Sequence, residues 1–393
     1  MQEQVAVLSK KTLMRYLDGD SSILIDLIRV VACEMVVVSH VFDTYTKYFH
    51  RATNNTNTFY ELDVFLGFVG VIMFFIVSGI VISNSLLKNL DSNKNYGFIN
   101  FFADRFSRIY AGLVPCLFFI AICDLALSVI NPAYYTSMDT FSLSIATILG
   151  SLFMVQNMFP LHITTPPYAG VLWTLNIEWW LYLTFGWVAV NMKKGLRSGV
   201  LPLVLFTAPL LLFVYLPAEV LLIDSAENLV IVWYIGVAAT ILYLYFDRSK
   251  WDYRLNYAIC AAAVLLAGRI AYIYYSNSSY LDLTLEFLLA ICIILLMLKY
   301  KGRNRFDHTN LKSVIKFMGK YSFTLYLVHL VIENTVFALY LAWGLKFPMA
   351  LLFVFSIVLS NLIAIAIAYP TEMQYRKLSR FLNGKVNAAM GRS

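Results

Sequence analysis

The stretch ILIDLIRVVACEMVVVSHVF, residues 23–42, decides how the rest of the chain is read. It has the length and apolar weight of a membrane-spanning helix, yet Asp26, Arg29, Glu34 and His40 interrupt it. Each ionisable group is costly in hydrocarbon, so a helix that keeps four of them must turn them towards protein or a water-filled interior. Arg29 and His40 stand eleven residues apart. At about 100° per residue this places them within about 20° on one face, roughly 16 Å apart along the axis. Asp26 shares that face to within about 60°. With Arg29 snorkelling at the inner boundary, His40 lies at mid-membrane or beyond. There it reads either as a cap on a neighbouring helix's polar group or as a working imidazole. Glu34 points elsewhere, as an interhelical partner.

The composition agrees with a membrane setting. Of the 393 residues, 60% are apolar and only 13% are charged, against about a quarter charged in an average soluble domain. Apolar runs recur at 23–42, 62–83, 109–130, 141–158, 171–191, 200–216, 229–246, 256–274, 281–299, 317–341 and 348–370. No repeat at a fixed period relates them. Residues 1–22 lack a small-residue cleavage site and read as a cytoplasmic N-terminal segment. Residues 23–370 follow as a single transmembrane domain, and 371–393 as a basic cytoplasmic tail. The five cysteines all fall inside apolar runs, which argues against a disulfide framework.

The cations choose the topology, because Lys and Arg concentrate in cytoplasmic connections. They cluster in the N-terminus (Lys10, Lys11, Arg15), in 84–108, 192–199, 247–255 and 299–316, and in the tail. The remaining connections hold only Lys47, Arg51 and Lys346. The two sets alternate only if the run 141–158 is not a full crossing. The expected fold is therefore an all-α polytopic membrane protein, a bundle of about ten transmembrane helices with both termini cytoplasmic. An extra, non-spanning helix lies in the 131–170 outer loop. The formal charge of +7 is topology, not a nucleic-acid surface.

Further polar residues sit where lipid would reject them. Arg105 and Arg108, one turn apart in FFADRFSRIYAGLVP, leave one helix face at the cytoplasmic mouth of the third span. They read as topological anchors or as a fork of donors for phosphate, which Arg suits better than Lys. In LWTLNIEWWLYL, Glu178 stands among Trp173, Trp179, Trp180 and Tyr182. Three of these can form an interfacial belt, but the carboxylate needs a partner, and a histidine of the first span at similar depth is a candidate. Ser322, Tyr326, His329 and Glu333 advance by helical steps as one polar stripe, either interhelical glue or part of a catalytic interior. Ser78 and Gly79 form a small pair suited to close helix packing. Physics alone permits two classes: an enzyme taking an activated group from a cytosolic phosphate-bearing donor, or a transporter or flippase of a lipid-linked sugar relaying protons through intramembrane His and Glu.

In that order, these motifs resemble the acyltransferase-3 family of integral membrane O-acyltransferases of surface polysaccharides. Its D-x-x-R-x-x-A-x-x-x-V-x-x-x-H pattern is matched by Asp26, Arg29, Ala32, Val36 and His40. Its F-F-x-x-S-G-F-x-I is matched by Phe74, Phe75, Ser78, Gly79 and Ile82, with Ile80 in place of Phe. R-x-x-R falls on Arg105 and Arg108. W-S-L-x-x-E-x-x-F-Y falls on Trp173, Leu175, Glu178 and Tyr182, with Thr174 for Ser and Leu181 for Phe. S-Y-x-x-Y-x-x-H falls on Ser322, Phe323, Tyr326 and His329, and Glu372 stands where the family often ends with Glu-x-Pro. Ala111 and Gln374 replace two family prolines.

The resemblance implies transfer of an acyl group, acetyl in the first instance, from cytosolic acetyl-CoA to a sugar hydroxyl of a surface or exported glycan. His40 and Glu178 would be catalytic, and Arg105, Arg108 and Arg29 would hold the donor. Asp26, Ser78, Trp173, Ser322, Tyr326 and His329 would support them. Acetyl-CoA is then a substrate, and no bound cofactor is expected. Nor is a metal, since no two of the five histidines sit at the metalloprotease spacing. The expected partners are acyl-CoA, a glycan or lipid-linked sugar acceptor and membrane lipid. The expected location is a bacterial inner membrane.

Overall fold

The computed structural model describes residues 16–53, 59–137, 143–158, 160–192, 200–215, 226–276, 283–306, 310–346 and 348–389. The cationic segments holding Lys10, Lys11 and Arg15, and Lys193, Lys194 and Arg197, lie outside them. Among the described residues the chain is helical, with no strand. The helices are α1 (Gly19–Thr53), α2 (Phe59–Ser92), α3 (Phe98–Ile130), α4 (Pro132–Ser137), α5 (Ile145–Leu152), α6 (Leu172–Asn191) and α7 (Val200–Tyr215). They continue with α8 (Ala226–Tyr245), α9 (Asp252–Ser276), α10 (Leu283–Lys299), α11 (Asn310–Ala342), α12 (Met349–Ala368) and α13 (Tyr375–Ala389).

Among the described residues, six stretches are long and apolar enough to cross a membrane: Phe65–Ser92, Phe98–Ile130, Asn228–Tyr245, Asp252–Ser276, Asn310–Ala342 and Met349–Ala389. The ten crossings expected from the sequence need α1, α6, α7 and α10 as well. Helices α1 and α6 have the length, 35 and 20 residues, but carry the polar side chains that set them apart. Helix α5 has eight residues, about 12 Å, far short of a hydrocarbon core about 30 Å thick.

The chain divides into two compact units. The first comprises Met1–Ala32, Phe68–Lys94 and Glu227–Gly319. Its seam is backbone against backbone: a Cβ on Gly79 of α2 would meet the carbonyl of Trp233 and the Cα of Gly236 on α8, and a Cβ on Gly236 would meet Ile76 and Gly79. Hydroxyls and an indole finish the contact, with Ser83 donating to Thr240 at 2.8 Å and Trp233 Nε1 to Ser78 at 3.2 Å. Lys301 closes the C-terminus of α8 by donating to the carbonyls of Tyr243, Leu244 and Phe246, where the helix leaves its last carbonyls unpaired. The buried carboxylate of Asp20 receives the amides of Arg305 and Phe306 at 2.9 and 3.1 Å. In the turn after α8, the Ser249 hydroxyl and then Lys250 hold the Asp247 carboxyl below its ordinary range.

Close backbone approach leaves Gly79 no room for a side chain. Gly79→Leu is expected to destabilise the protein by about 3 kcal/mol, the upper end for overpacking. It should be read as a lower thermal midpoint in detergent. Gly268→Ala in α9, where a Cβ would meet nothing within 4 Å, is the matched control and should hold or raise that midpoint.

The second unit comprises Cys33–Gly67, Asn95–Ala226 and Lys320–Ser393. Here α13 packs antiparallel on the start of α3 through small polar side chains. Asn100 donates to Asn383 and Asn387 at 2.9 and 3.2 Å, and Asp104 accepts from Ser379 and Asn383 at 2.6 and 2.8 Å. Gly112 of α3 lets Phe323 of α11 come close, 2.9 Å from where its Cβ would stand. Among the described residues, the connection between α5 and α6 holds four non-glycine residues at positive φ: Met154, Asn157, His162 and Tyr168. Such backbone is costly and persists where surrounding contacts over-determine it. Those contacts anchor the connection to α6: Gln156 donates to Leu172 O at 3.0 Å, Asn176 to Gln156 O at 2.7 Å and Trp180 Nε1 to Met154 O at 2.8 Å. Burial, with the charge of Asp124 adding to it, pushes the Tyr168 phenol up.

Candidate active site

The second half of α1 and the second half of α11 bring two histidines together. The rings of His40 and His329 lie 5.2 Å apart at 37°. His40 is half-buried and His329 fully buried. His329 donates from Nδ1 to the carbonyl of Leu325 one turn back, at 3.1 Å. That bond fixes the neutral tautomer and leaves the Nε2 lone pair as an acceptor. Nε2 has no hydrogen-bond partner among the described residues, an uncommon condition for a buried nitrogen. The register that pairs the rings is held nearby, where Cys33 Sγ donates to Ser322 O at 3.1 Å and Gly67 approaches Ser39.

Tyr326 extends the constellation towards α6. Its ring is 6.0 Å from that of His329, and its hydroxyl is 2.7 Å from Thr174 Oγ1. Thr174, which stands where the family pattern has Ser, keeps the hydroxyl that this contact uses. Glu178 follows Thr174 by one helical turn, half-buried, and its charge bears on the Tyr326 phenol. Trp173 on α6 is half-buried and Ser322 on α11 is buried. One turn beyond His329, Glu333 is fully buried and neither carboxylate oxygen has a hydrogen-bond partner among the described residues. Asp43 is the charged group that bears on it. Glu34, the fourth ionisable residue of the opening stretch, accepts from Asn361 at 3.4 Å.

The arginine pair lies on α3. Arg105 sits 5.7 Å over the Phe101 ring. Arg108 forms an ion pair at 2.9 Å with Glu372, whose side chain is fully buried, and lies 4.9 Å over the Tyr375 ring. Glu372 also accepts from the Thr324 amide at 2.9 Å and the Thr324 hydroxyl at 2.7 Å. The sequence placed Glu372 in a motif without giving it work, and missed Thr324 and Tyr375.

Three expected site residues belong to the first unit. Arg29 pairs with Asp26 at 3.1 Å and donates to Gly319 O at 2.7 Å. Ser78 accepts from Trp233 in the α2–α8 seam. Among the described residues, no group of three or more His, Cys, Asp or Glu is placed to hold a metal ion.

Long apolar helices, with an imidazole pair and an arginine pair one turn apart among them, define a helical membrane protein. The acyltransferase domain family matches residues 23–369, and the chain belongs to that family. It is 31% identical over 196 residues to the O-acetyl transferase of Shigella phage Sf6, covering 47% of this chain and 51% of the relative. It is 27% identical over 195 residues to nodulation protein 10 of Rhizobium leguminosarum bv. viciae, covering 45% and 46%. The chain thus spans about half the length of these curated relatives. No solved structure matches it.

Proposed function

We propose that the chain transfers an acyl group, acetyl in the first instance, from acyl-CoA to a hydroxyl of a glycan acceptor. The observation that carries this reading is the imidazole pair of His40 and His329, 5.2 Å apart between rings. The name of the phage relative, an O-acetyl transferase, supports acetyl and oxygen.

Arg105 and Arg108 hold the donor's phosphates; Arg29 carries a positive charge three turns before His40 on α1. His40 takes the proton as the acceptor oxygen attacks the thioester carbonyl carbon. Neutral imidazole suits that step near physiological pH. The C–S bond breaks, and the proton passes to the thiolate, which leaves as free CoA. His329, Tyr326, Thr174 and Glu178 form the shell that orients the base and stabilises its cation. Asp26, Ser78, Trp173 and Ser322 support the helices that carry these groups.

The distribution of Lys and Arg and the shortness of α5 support ten crossings with both termini cytoplasmic. The donor then arrives from the cytosol at a bacterial inner membrane. The test is transfer of labelled acetyl from acetyl-CoA to glycan in membranes carrying the protein. Label in the glycan, lost on removal of the chain, is the expected result. No label, with a lipid-linked sugar crossing the membrane in response to a proton gradient, would replace the enzyme with a flippase.

A further inference from the structure

We propose that Asp124 on α3, Tyr135 on α4 and Tyr168 in the connection before α6 form the acceptor subsite, and that it takes a neutral sugar ring with free hydroxyls. This deepens the acceptor reading above and rests on it.

Two polar groups of this cluster are buried without a partner. Asp124 is 1% exposed, and its Oδ1 has no hydrogen-bond partner among the described residues. Tyr168 is 9% exposed, and its hydroxyl has none among them either. Buried side-chain polar atoms are mostly paired, because an unmade bond leaves the full cost of desolvation standing. Tyr135 links the two groups. Its hydroxyl donates to Asp124 Oδ2 at 3.2 Å, its ring lies 6.4 Å from that of Tyr168, and it is half-buried. Tyr168 keeps its place on costly backbone, at a φ of 54°, a condition concentrated at ligand-binding positions.

Both sides of the cluster are tied to α11 near His329. Tyr134, next to Tyr135, donates to Asn334 Oδ1 at 2.9 Å, and Asn131 donates to Ala338 O at 3.1 Å. Asn334 follows His329 by about 7.5 Å along the helix axis. Val171, just after Tyr168, accepts from the Tyr326 hydroxyl at 3.4 Å, and Tyr326 lies one turn before His329. The cluster is thus held beside the imidazole pair. In the topology proposed above it lies on the outer side, where an exported glycan is presented. An ionised carboxylate only accepts, whereas a phenol both donates and accepts. Sugar hydroxyls satisfy both groups, while the face of the sugar ring covers Tyr135. An apolar ligand would leave both groups unpaired, and an anionic one would meet the charge of Asp124. No group of three or more His, Cys, Asp or Glu gathers here among the described residues to favour a metal ion.

The test measures acetyl transfer by the full chain in detergent, with glycan extracted from the membranes in which label is accepted. Glycan and acetyl-CoA are varied in turn. Asp124→Asn keeps the shape and an acceptor for Tyr135, and is expected to lower kcat/KM for the glycan roughly tenfold or more, the loss of a charge-assisted bond. The KM for acetyl-CoA should not change. Tyr168→Phe should lower kcat/KM for the glycan about fivefold, the loss of a neutral bond. Its thermal midpoint should hold or rise, because the change deletes a buried hydroxyl that has no partner among the described residues. A midpoint near that of the wild type confirms that Asp124→Asn is folded; if it is not, Tyr168→Phe decides alone. Unchanged glycan constants in the folded variants would overturn the subsite and leave acyl transfer standing. A loss shared equally by glycan and acetyl-CoA would make the cluster structural and overturn it as well. A wild type that acetylates no glycan sinks the acceptor reading itself, and the subsite with it.

Discussion

Membranes carrying His40→Ala are expected to keep the folded protein and to lose acyl transfer by roughly 10²–10⁴-fold, the contribution of a positioned general acid–base group. This corresponds to about 3–5.5 kcal/mol of transition-state stabilisation. The half-buried setting of His40 makes the experiment clean, because truncating it opens no large sealed void. His329 is the contrasting case. It is fully buried and tied to its own helix through Nδ1, so His329→Ala removes packing as well as chemistry. It should lower both the yield of folded protein and the rate. His329→Gln, close in size and able to retain the bond to Leu325, should recover folding while the rate stays depressed. Rates are to be compared at saturating acetyl-CoA and normalised to protein that elutes as a single species in detergent. A His40→Ala enzyme with more than half the normal rate would move the proton transfer to another residue.

What could be read from the sequence was local, and what could not was a matter of register between distant segments. The polar positions of residues 23–42, the arginines one turn apart and the stripe from Ser322 to Glu333 each follow from helical spacing within one segment. The close helix contact expected at Ser78 and Gly79 is present, with Gly236 and Trp233 as the partners. The sequence offers a first-span histidine as a candidate partner for Glu178, and gives no sign that the ring of His329, 289 positions after His40, lies beside it. No periodicity within either helix encodes that pairing; it depends on contacts such as Cys33 to Ser322. Beyond the motif at Glu372, the charges of the tail read only as those of a basic cytoplasmic segment. Yet Tyr375, Ser379, Asn383 and Asn387 recur every four residues, as do Asn100, Asp104 and Arg108, and these two stripes pack against each other. Matching small polar stripes were the signal, hidden because Asn and Ser are common in tails that do not pack.

Removing Glu372 is the second large effect to expect. Its carboxylate is sealed from solvent, paired with Arg108 at 2.9 Å and bonded to both the amide and the hydroxyl of Thr324. Glu372→Ala strips an amide inside α11 and a guanidinium on α3 of their partner at once. Breaking a buried pair from one side costs roughly 3–5 kcal/mol. Arg108 keeps 25% of its side chain exposed, so water recovers part of that, and about 3 kcal/mol is expected. Glu372→Gln should cost less, because an amide oxygen can still accept from Thr324 while the charge is lost. The exchange Arg108→Glu with Glu372→Arg separates the two tasks of Arg108. If the pair only ties α3 to the chain entering α13, the exchange should restore both the thermal midpoint and the acetyl-CoA requirement. If Arg108 also grips the donor, the exchange recovers part of the midpoint but leaves the donor requirement raised by roughly tenfold or more, since the guanidinium no longer stands one turn from Arg105. Recovery of both would reduce Arg108 to a tie between helices and leave the donor's phosphates to Arg105.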